Sequence, residues 1–459
     1  MYFIDTIETQ SLGNHSYLAG GPSAAVVIDP PRDVDRIIAA ATRRGVRIAY
    51  VVETHVHNDY ISGGLELARS TGARYLVPVM ASVAFDHTPI ADGGCVTVDD
   101  GLTLRALATP GHTPHHMAYV LGEGSREIAV FTGGSLLHET VGRPDLISPW
   151  MTGRLARAQY ASAHRLADEL DDEVSVLPTH GFGSFCSSTQ SAVGTTTIGA
   201  ERQRNPALIK GVDVFVAELL GGLDDIPAYY PHIGPVNAAG PPPVDLTPPR
   251  PADPEQIAVR LAAGEWVVDL RNRVDFADEH VAGSLNFEGT GKLATYLAWL
   301  LPWGRPLTLL ADDSQQIADA QRELTRVGID RPVAAATGRP TQWVRGKNDL
   351  TSFPRADFTA LAAAQSLGKA AVVLDVRRDS ERSSGYLDGS VHIPIHQLPD
   401  RIDDLPAGEV WVHCVSGLRA TIAASLLDAA GRDVVAIDDT FEDLPSNLLK
   451  IIHPAPADT

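Results

Sequence analysis

Fourteen positions near the middle of the chain limit its architecture more than any others. Residues 241–254 read Pro-Pro-Pro-Val-Asp-Leu-Thr-Pro-Pro-Arg-Pro-Ala-Asp-Pro, with seven prolines. Proline fixes φ and removes the backbone donor, so neither a helix interior nor a central strand runs through such a stretch. It reads as a semi-rigid extended linker. The 459 residues suggest roughly three domains at about 150 residues each. The linker therefore separates an N-terminal unit of about 235 residues from a C-terminal unit of about 205.

The C-terminal unit repeats itself. Val267-Val268-Asp269-Leu270-Arg271 returns as Val373-Leu374-Asp375-Val376-Arg377. Fourteen residues after each Asp stands a Gly-Ser pair, Gly283-Ser284 and Gly389-Ser390. Each half then has an apolar strand, Leu307–Leu310 and Val410–His413, followed by a helical pattern that ends at Gly328 or Gly431. Ala311 and Cys414 both lie 17 residues before that glycine. Short strands alternating with helices predict a parallel α/β sheet in each copy.

The N-terminal unit opens with the strands Ser16–Ala19 and Ala24–Asp29, a helix over about Asp33–Arg44, and the strand Ile48–Glu53. That last strand runs straight into Thr54-His55-Val56-His57-Asn58-Asp59-Tyr60. Polar residues at the C-terminal end of a buried strand are where α/β folds carry their chemistry. In an extended segment His55, His57 and Asp59 alternate onto one side. Three more segments bear similar residues after short apolar strands: Thr109–His116, Phe131–Ser135 and Leu177–Gly181. A metal needs several neutral imidazoles or carboxylates converging on one point. His55, His57, Asp59, His112 and His180 are the candidate ligands of one metal ion. His115 and His116 read equally as supports behind the metal ligands or substrate contacts on one hand, and as plain packing on the other. His15, His87, His164 and His232 read as structural or surface residues.

These motifs resemble the metallo-β-lactamase fold, in its persulfide dioxygenase and glyoxalase II branch and especially in versions fused to rhodanese domains. The matching stretches are Thr54–Asp59, Thr109–Thr113, Val141–Leu146 and Thr179–Gly183. The resemblance implies an αββα sandwich over about residues 1–235, with the site at one edge and iron or zinc as the metal. Two positions depart from the family pattern. Tyr60 stands where the family has His, and Gly134 stands where it has an Asp ligand. In persulfide dioxygenases the iron ligands match His55, His112 and that missing Asp. Three readings stay open. His55, His57 and His112 hold one metal; or Asp59, Tyr60 or His180 replaces the carboxylate; or the domain is a metal-free scaffold. Bound iron implies persulfide oxidation and bound zinc implies thioester hydrolysis.

The second copy of the repeat carries His413-Cys414-Val415-Ser416-Gly417-Leu418-Arg419 and then a helical run. Backbone N–H groups in such a loop and at the helix start attract an anion, and Arg419 adds positive charge. A thiolate or persulfide on Cys414 is therefore favoured. Val415, Ser416, Gly417 and Leu418 would cradle the substrate. This half resembles a rhodanese domain through Leu374–Arg377, Glu381, Tyr386, Gly389–Pro394 and the Cys414 loop. The resemblance implies that Cys414 accepts a sulfane sulfur from persulfide or thiosulfate and passes it to a thiol. The first copy has Ala311-Asp312-Asp313 at that place, with neither thiol nor arginine, and is expected to be inactive. Cys95 reads as a packed residue. Cys186 reads as either buried or close to the metal.

The expected organisation is therefore an α/β chain. A metallo-β-lactamase-like domain covers 1–235 and a linker 236–253. An inactive rhodanese-like domain follows at 254–350, and an active one at 351–459. Composition narrows the partners. Lys and Arg number 37 against 57 Asp and Glu, for a net charge of −20. That balance repels phosphate backbones and argues against nucleic acid. No apolar run nears the roughly 18 residues of a membrane span. The acidic Met1–Asp5 start lacks the basic region of a secretory signal. Three cysteines fit a reducing cytoplasm better than a disulfide framework. Small-molecule sulfur donors and thiol acceptors are the expected partners, with homo-oligomerisation left open.

Overall fold

A computed structural model describes residues 2–189, 191, 194–368, 372–445 and 448–454. The chain divides into two compact units, Met1–Asp245 with Arg322–Asp330, and Leu246–Gln321 with Arg331–Thr459.

The first unit is built on two six-stranded sheets. One runs in chain order through Phe3–Thr9, Asn14–Gly20, Ala24–Ile28, Arg47–Val52, Arg74–Pro78 and Thr88–Ile90. The other is ordered Thr196–Thr197, Ser175–Pro178, Arg126–Gly133, Met117–Glu123, Leu102–Ala108, Cys95–Asp99. Side chains alternate across a strand, so every central strand here must be apolar on both faces. Tyr17, Ala19, Val26, Ile28 and Val52 face Leu104, Tyr119, Leu121 and Phe131 in a core between the sheets. Their neighbours Leu18, Ala25, Val27 and Val51 face outward onto Ile37, Ala40 and Leu67 of the helices Asp35–Arg44 and Gly64–Thr71. On the far side Leu107, Val120 and Val130 pack on Ala156, Ala163 and Leu166 of the helix Thr152–Glu169. The result is the expected αββα sandwich.

Strand direction sets where the chemistry lies. Leu102–Ala108 and Arg126–Gly133 both run antiparallel to Met117–Glu123, and Ser175–Pro178 runs parallel to Arg126–Gly133. All three therefore end at one rim. Thr179 N–H donates to the Gly133 carbonyl (3.1 Å), and Met117 N–H donates to the Thr54 carbonyl (2.8 Å). The histidine-bearing segments are thus tied together at that rim.

In the second unit the repeat seen in the sequence is a repeat of structure. Two five-stranded parallel sheets share one strand order. The first is Arg250–Pro251, Ala334–Thr337, Leu307–Ala311, Trp266–Asp269, Leu285–Asn286. The second is Arg355–Ala356, Val434–Ile437, Val410–His413, Val372–Asp375, Val391–His392. Each Asp-x-Arg motif is a buried ion pair, with Arg271 Nη2 at 2.6 Å from Asp269 and Arg377 Nη2 at 2.8 Å from Asp375. Each Gly-Ser pair closes the same turn, since Ser284 and Ser390 donate to carbonyls three residues back, both at 2.7 Å.

The linker expected over 236–253 needs correction at both ends. The helix Tyr230–Ala239 carries Pro235 and still runs on to Ala239, held by tertiary contacts that sequence propensity does not weigh. Arg250–Pro251 is an edge strand beside Ala334–Ala335. An edge position tolerates proline because its free side needs no donor.

Candidate functional site

The loop after Arg47–Val52 places His55, His57 and Asp59 at the rim, and the ends of the other strands bring His112 and His180 to the same place. All five are at most 2 % exposed. Potential ligand atoms of His55, His112 and His180 lie within 4.8 Å of one another, and so do those of His57, Asp59 and His180. A third such group is Asp29, Glu53 and His57. The five sequence candidates are therefore brought together, though not on one point.

Hydrogen bonds decide which nitrogens are free. Asp29 sits at φ 50° just past the buried strand Ala24–Ile28. It accepts from Thr54 N–H and from the Thr54 hydroxyl, both at 2.7 Å, and from the Thr179 hydroxyl. With its proton engaged, the Thr54 oxygen accepts from His55 Nδ1 (2.8 Å). His112 Nδ1 donates to the Arg143 carbonyl (2.8 Å). His180 Nδ1 faces Asp59 Oδ2 and Asn14 Oδ1, both at 3.4 Å. Each ring is thereby fixed as the tautomer whose Nε2 carries a lone pair. The Nε2 atoms of His55, His112 and His180 are all buried without a partner. Converging buried acceptors with nothing to satisfy them are costly. These residues fit a metal ion. Burial pushes the His55 imidazole well below its usual range, and burial with the nearby His180 takes His112 down to about 3. Both rings are neutral, as ligation requires.

His57 is turned differently. Its Nε2 lies 3.0 Å from Glu53, 3.3 Å from Asp29 and 3.0 Å from the Tyr60 hydroxyl. Burial opposes its charge, but the Asp29 and Glu53 carboxyls outweigh burial and raise its pKa. The expected alternation of His55, His57 and Asp59 onto one side fails because residues 53–60 form an irregular loop rather than a strand. Tyr60 also donates to the Asp29 carbonyl (3.2 Å). Burial pushes Asp59 up, but His180 outweighs it and holds the carboxyl low.

Gly134 has no room for a side chain against the present His112 ring. A Cβ on it would lie 2.4 Å from His112 Cδ2 and 2.6 Å from Cγ. The His112 ring occupies the space an aspartate would start from. His116 accepts from Gly134 N–H at Nε2 (2.9 Å) and meets the Thr109 hydroxyl at Nδ1 (2.9 Å). Both its nitrogens are used, so it is a packing residue. His115 is only partly buried, and burial lowers its pKa.

The sequence reading missed Asp29, Glu53, Asn14 and Asn237. Asn14 donates to Asp59 Oδ2 (2.7 Å). Asn237, inside the expected linker, donates to the His57 and Tyr60 carbonyls (2.9 and 2.8 Å) and pins the loop. A charged residue directly after an all-buried strand is the signal that could have found Asp29. Cys186 is fully buried, its Sγ 3.8 Å from the Tyr230 hydroxyl, and burial pushes its thiol up. Cys95 is exposed, contrary to the packing expected of it. It begins the edge strand Cys95–Asp99, whose partners lie on one side only.

In the second unit Cys414 follows Val410–His413 and precedes the helix Leu418–Ala429. It is 1 % exposed. Val415, Ser416 and Gly417 form the loop, and Leu418 opens the helix. Gly417 supplies the turn at φ 87°, where an added Cβ would lie 2.2 Å from Asp438 Oδ1. Arg419 is not a free cation, since its two terminal nitrogens bind Glu381 at 2.6 and 2.9 Å. Burial would raise the Glu381 carboxyl, but Arg419 outweighs it and holds the group at about 2. Burial also lowers the neighbouring His413 to about 4. In the first half Asp313 caps the equivalent helix, accepting from Gln315 and Gln316 N–H at 2.8 and 3.0 Å. The carboxylate takes donors that an anion would need.

The family model of the metallo-beta-lactamase superfamily matches residues 11–180, and that of the rhodanese-like domain matches 359–444. The human mitochondrial persulfide dioxygenase ETHE1 is 31% identical over 217 residues, covering 46% of this chain and 76% of that protein. The lactamase-like protein notP of an Aspergillus species is 31% identical over 149 residues, which is 30% of this chain. The chain spans only 43% of the length of notP. A metallo-beta-lactamase from Staphylococcus aureus shares the fold, with TM-score 0.66 and 24% identity over 74% of this chain and 99% of that one. Among the described residues no helix is long and apolar enough to cross a membrane. This chain belongs to the metallo-beta-lactamase superfamily and carries a rhodanese-like domain at its C-terminal end.

Proposed function

We propose that this chain is an enzyme of sulfur metabolism that processes a persulfide at a metal held in its first unit and transfers sulfane sulfur on Cys414 in its second. The observation that carries the reading is the buried cluster of unpartnered ring nitrogens from His55, His112 and His180, in a chain that also presents Cys414 before a helix N-terminus. The likeness to ETHE1 and the rhodanese-like match support sulfur metabolism as the setting. His55, His112 and His180 would hold the metal, iron or zinc, with His57 and Asp59 next to them, and the metal would supply Lewis acidity toward a sulfur anion. A cleft of about 600 Å³ is lined by Asn14, His15, His138, Gly181 and Phe182 among others, of which Gly181 directly follows His180 in the chain.

At the second site the Cys414 thiolate attacks the outer sulfur of thiosulfate or a persulfide. An S–S bond forms, and sulfite or a thiolate leaves. An acceptor thiolate then takes that sulfur and regenerates Cys414. Loop N–H groups and the helix start hold the negative charge, while Arg419 and Glu381 fix the loop. Residues 254–350 form the inactive partner half. One chain bearing both sites raises the effective concentration of a shared intermediate.

The test is oxygen uptake by iron-loaded protein given a low-molecular-weight persulfide, with His112→Ala and Cys414→Ser as separate variants. We expect His112→Ala to abolish uptake and Cys414→Ser to abolish sulfur transfer. No uptake by a metal-loaded protein that still transfers sulfur refutes the dioxygenase reading and leaves a hydrolase or scaffold. Retained transfer in Cys414→Ser refutes the second site.

A further inference from the structure

We infer that the metal site of this chain is an all-imidazole, mononuclear one completed by His180, with no carboxylate among its ligands. The inference deepens the proposed function and rests on it only in taking the cluster to be a metal site. The Nε2 atoms of His55, His112 and His180 are buried and unpartnered, and ligand atoms of these three rings lie within 4.8 Å of one another. The opposite edge of each ring is held by an oxygen: the Thr54 hydroxyl, the Arg143 carbonyl, and Asp59 with Asn14. Such partners orient histidine ligands and fix their tautomers.

The other candidates are each engaged through one atom, although His57 Nδ1 and Asp59 Oδ1 are also buried without a partner. Asp59 Oδ2 accepts from Asn14 and faces His180 Nδ1, so Asp59 is a positioning residue behind His180. His57 Nε2 points at Glu53 and Asp29 rather than at the cluster. Tyr60 is hydrogen-bonded to the Asp29 carbonyl and to His57. Gly134 cannot be read as a ligand lost while its place was kept. The His112 ring lies 2.4–3.0 Å from where the Cβ would be, so a carboxylate and the present His112 are mutually exclusive. His180 supplies the third donor. Three neutral imidazoles subtract nothing from a dipositive charge, so the set favours an anionic partner of the thiolate or persulfide class.

Zinc-edge X-ray absorption on the zinc-loaded full chain, with metal stoichiometry by mass spectrometry, reads this without reference to turnover. We expect one zinc per chain with three imidazoles, falling to two in His180→Ala, and three retained in His57→Gln. Two imidazoles plus a carboxylate in the native protein, a second equivalent of zinc, or an unchanged count in His180→Ala would each overturn the inference. If His57→Gln does not fold by circular dichroism, the native and His180→Ala spectra decide alone. Three imidazoles with no oxygen uptake would refute the dioxygenase reading and leave this one standing.

Discussion

Replacing Gly134 by alanine tests the arrangement with a single methyl group. No left-handed φ is required at this position, so alanine meets no backbone penalty there. The added Cβ would sit 2.4 Å from His112 Cδ2 and 2.6 Å from Cγ. Ordinary carbon contacts begin at about 3.5 Å, so the ring must retreat by about 1 Å. It cannot do so freely, because Nδ1 is bonded to the Arg143 carbonyl at 2.8 Å and the residue is 0 % exposed. Overpacking of this kind costs about 1–3 kcal/mol. The same displacement draws Nε2 away from those of His55 and His180. Disturbing the support of a ligand lowers metal affinity about 10–100-fold, and moving the ligand itself should reach the upper end. The assay is competitive zinc titration against a chromophoric chelator, paired with the thermal midpoint of the zinc-free protein. We expect an affinity loss near 100-fold together with a lower midpoint. Native affinity with a native midpoint would refute the reasoning, because it would mean that His112 is neither pinned nor a ligand.

Two further outcomes follow from the Cys414 loop. Holding the Glu381 carboxyl at about 2 against its ordinary 4.5 makes the Arg419 pair stabilising above pH 4.5, with the contribution lost as pH falls through about 2. Glu381→Gln should therefore cost about 3 kcal/mol at pH 7, and the deficit should vanish near pH 2. Hydrogen exchange in the helix Leu418–Ala429 measures it, and an equal deficit at both pH values would exclude the ionic cause. Gly417→Ala forces a side chain into φ 87° and against Asp438. Strain of about 1–3 kcal/mol should distort the loop and cut sulfur transfer from thiosulfate at least tenfold, while zinc content stays at the native level. Unchanged transfer would show that the loop has no such constraint.

Periodicity and local chemistry by themselves determined a good deal of this protein. Continuous apolar runs such as Ala24–Ile28 specify strands buried on both faces, because a pleat presents successive side chains to opposite sides. The paired Asp-x-Arg and Gly-Ser motifs revealed the duplicated sheet, since each makes a local contact that needs no distant partner. The Cys414 loop was equally legible, because strand, thiol, glycine and helix start adjoin in the chain. What tertiary structure alone decided was the direction of each ring. His55 and His57 differ by two positions, yet one offers Nε2 to the cluster while the other is drawn to Asp29 and Glu53. The pairing of Arg419 with Glu381, 38 positions away, and the hold of Asn237 on the His57 loop were hidden for the same reason. A hydrogen bond is fixed by where two groups meet in space, and spacing along the chain reports that only when both groups share one element or turn.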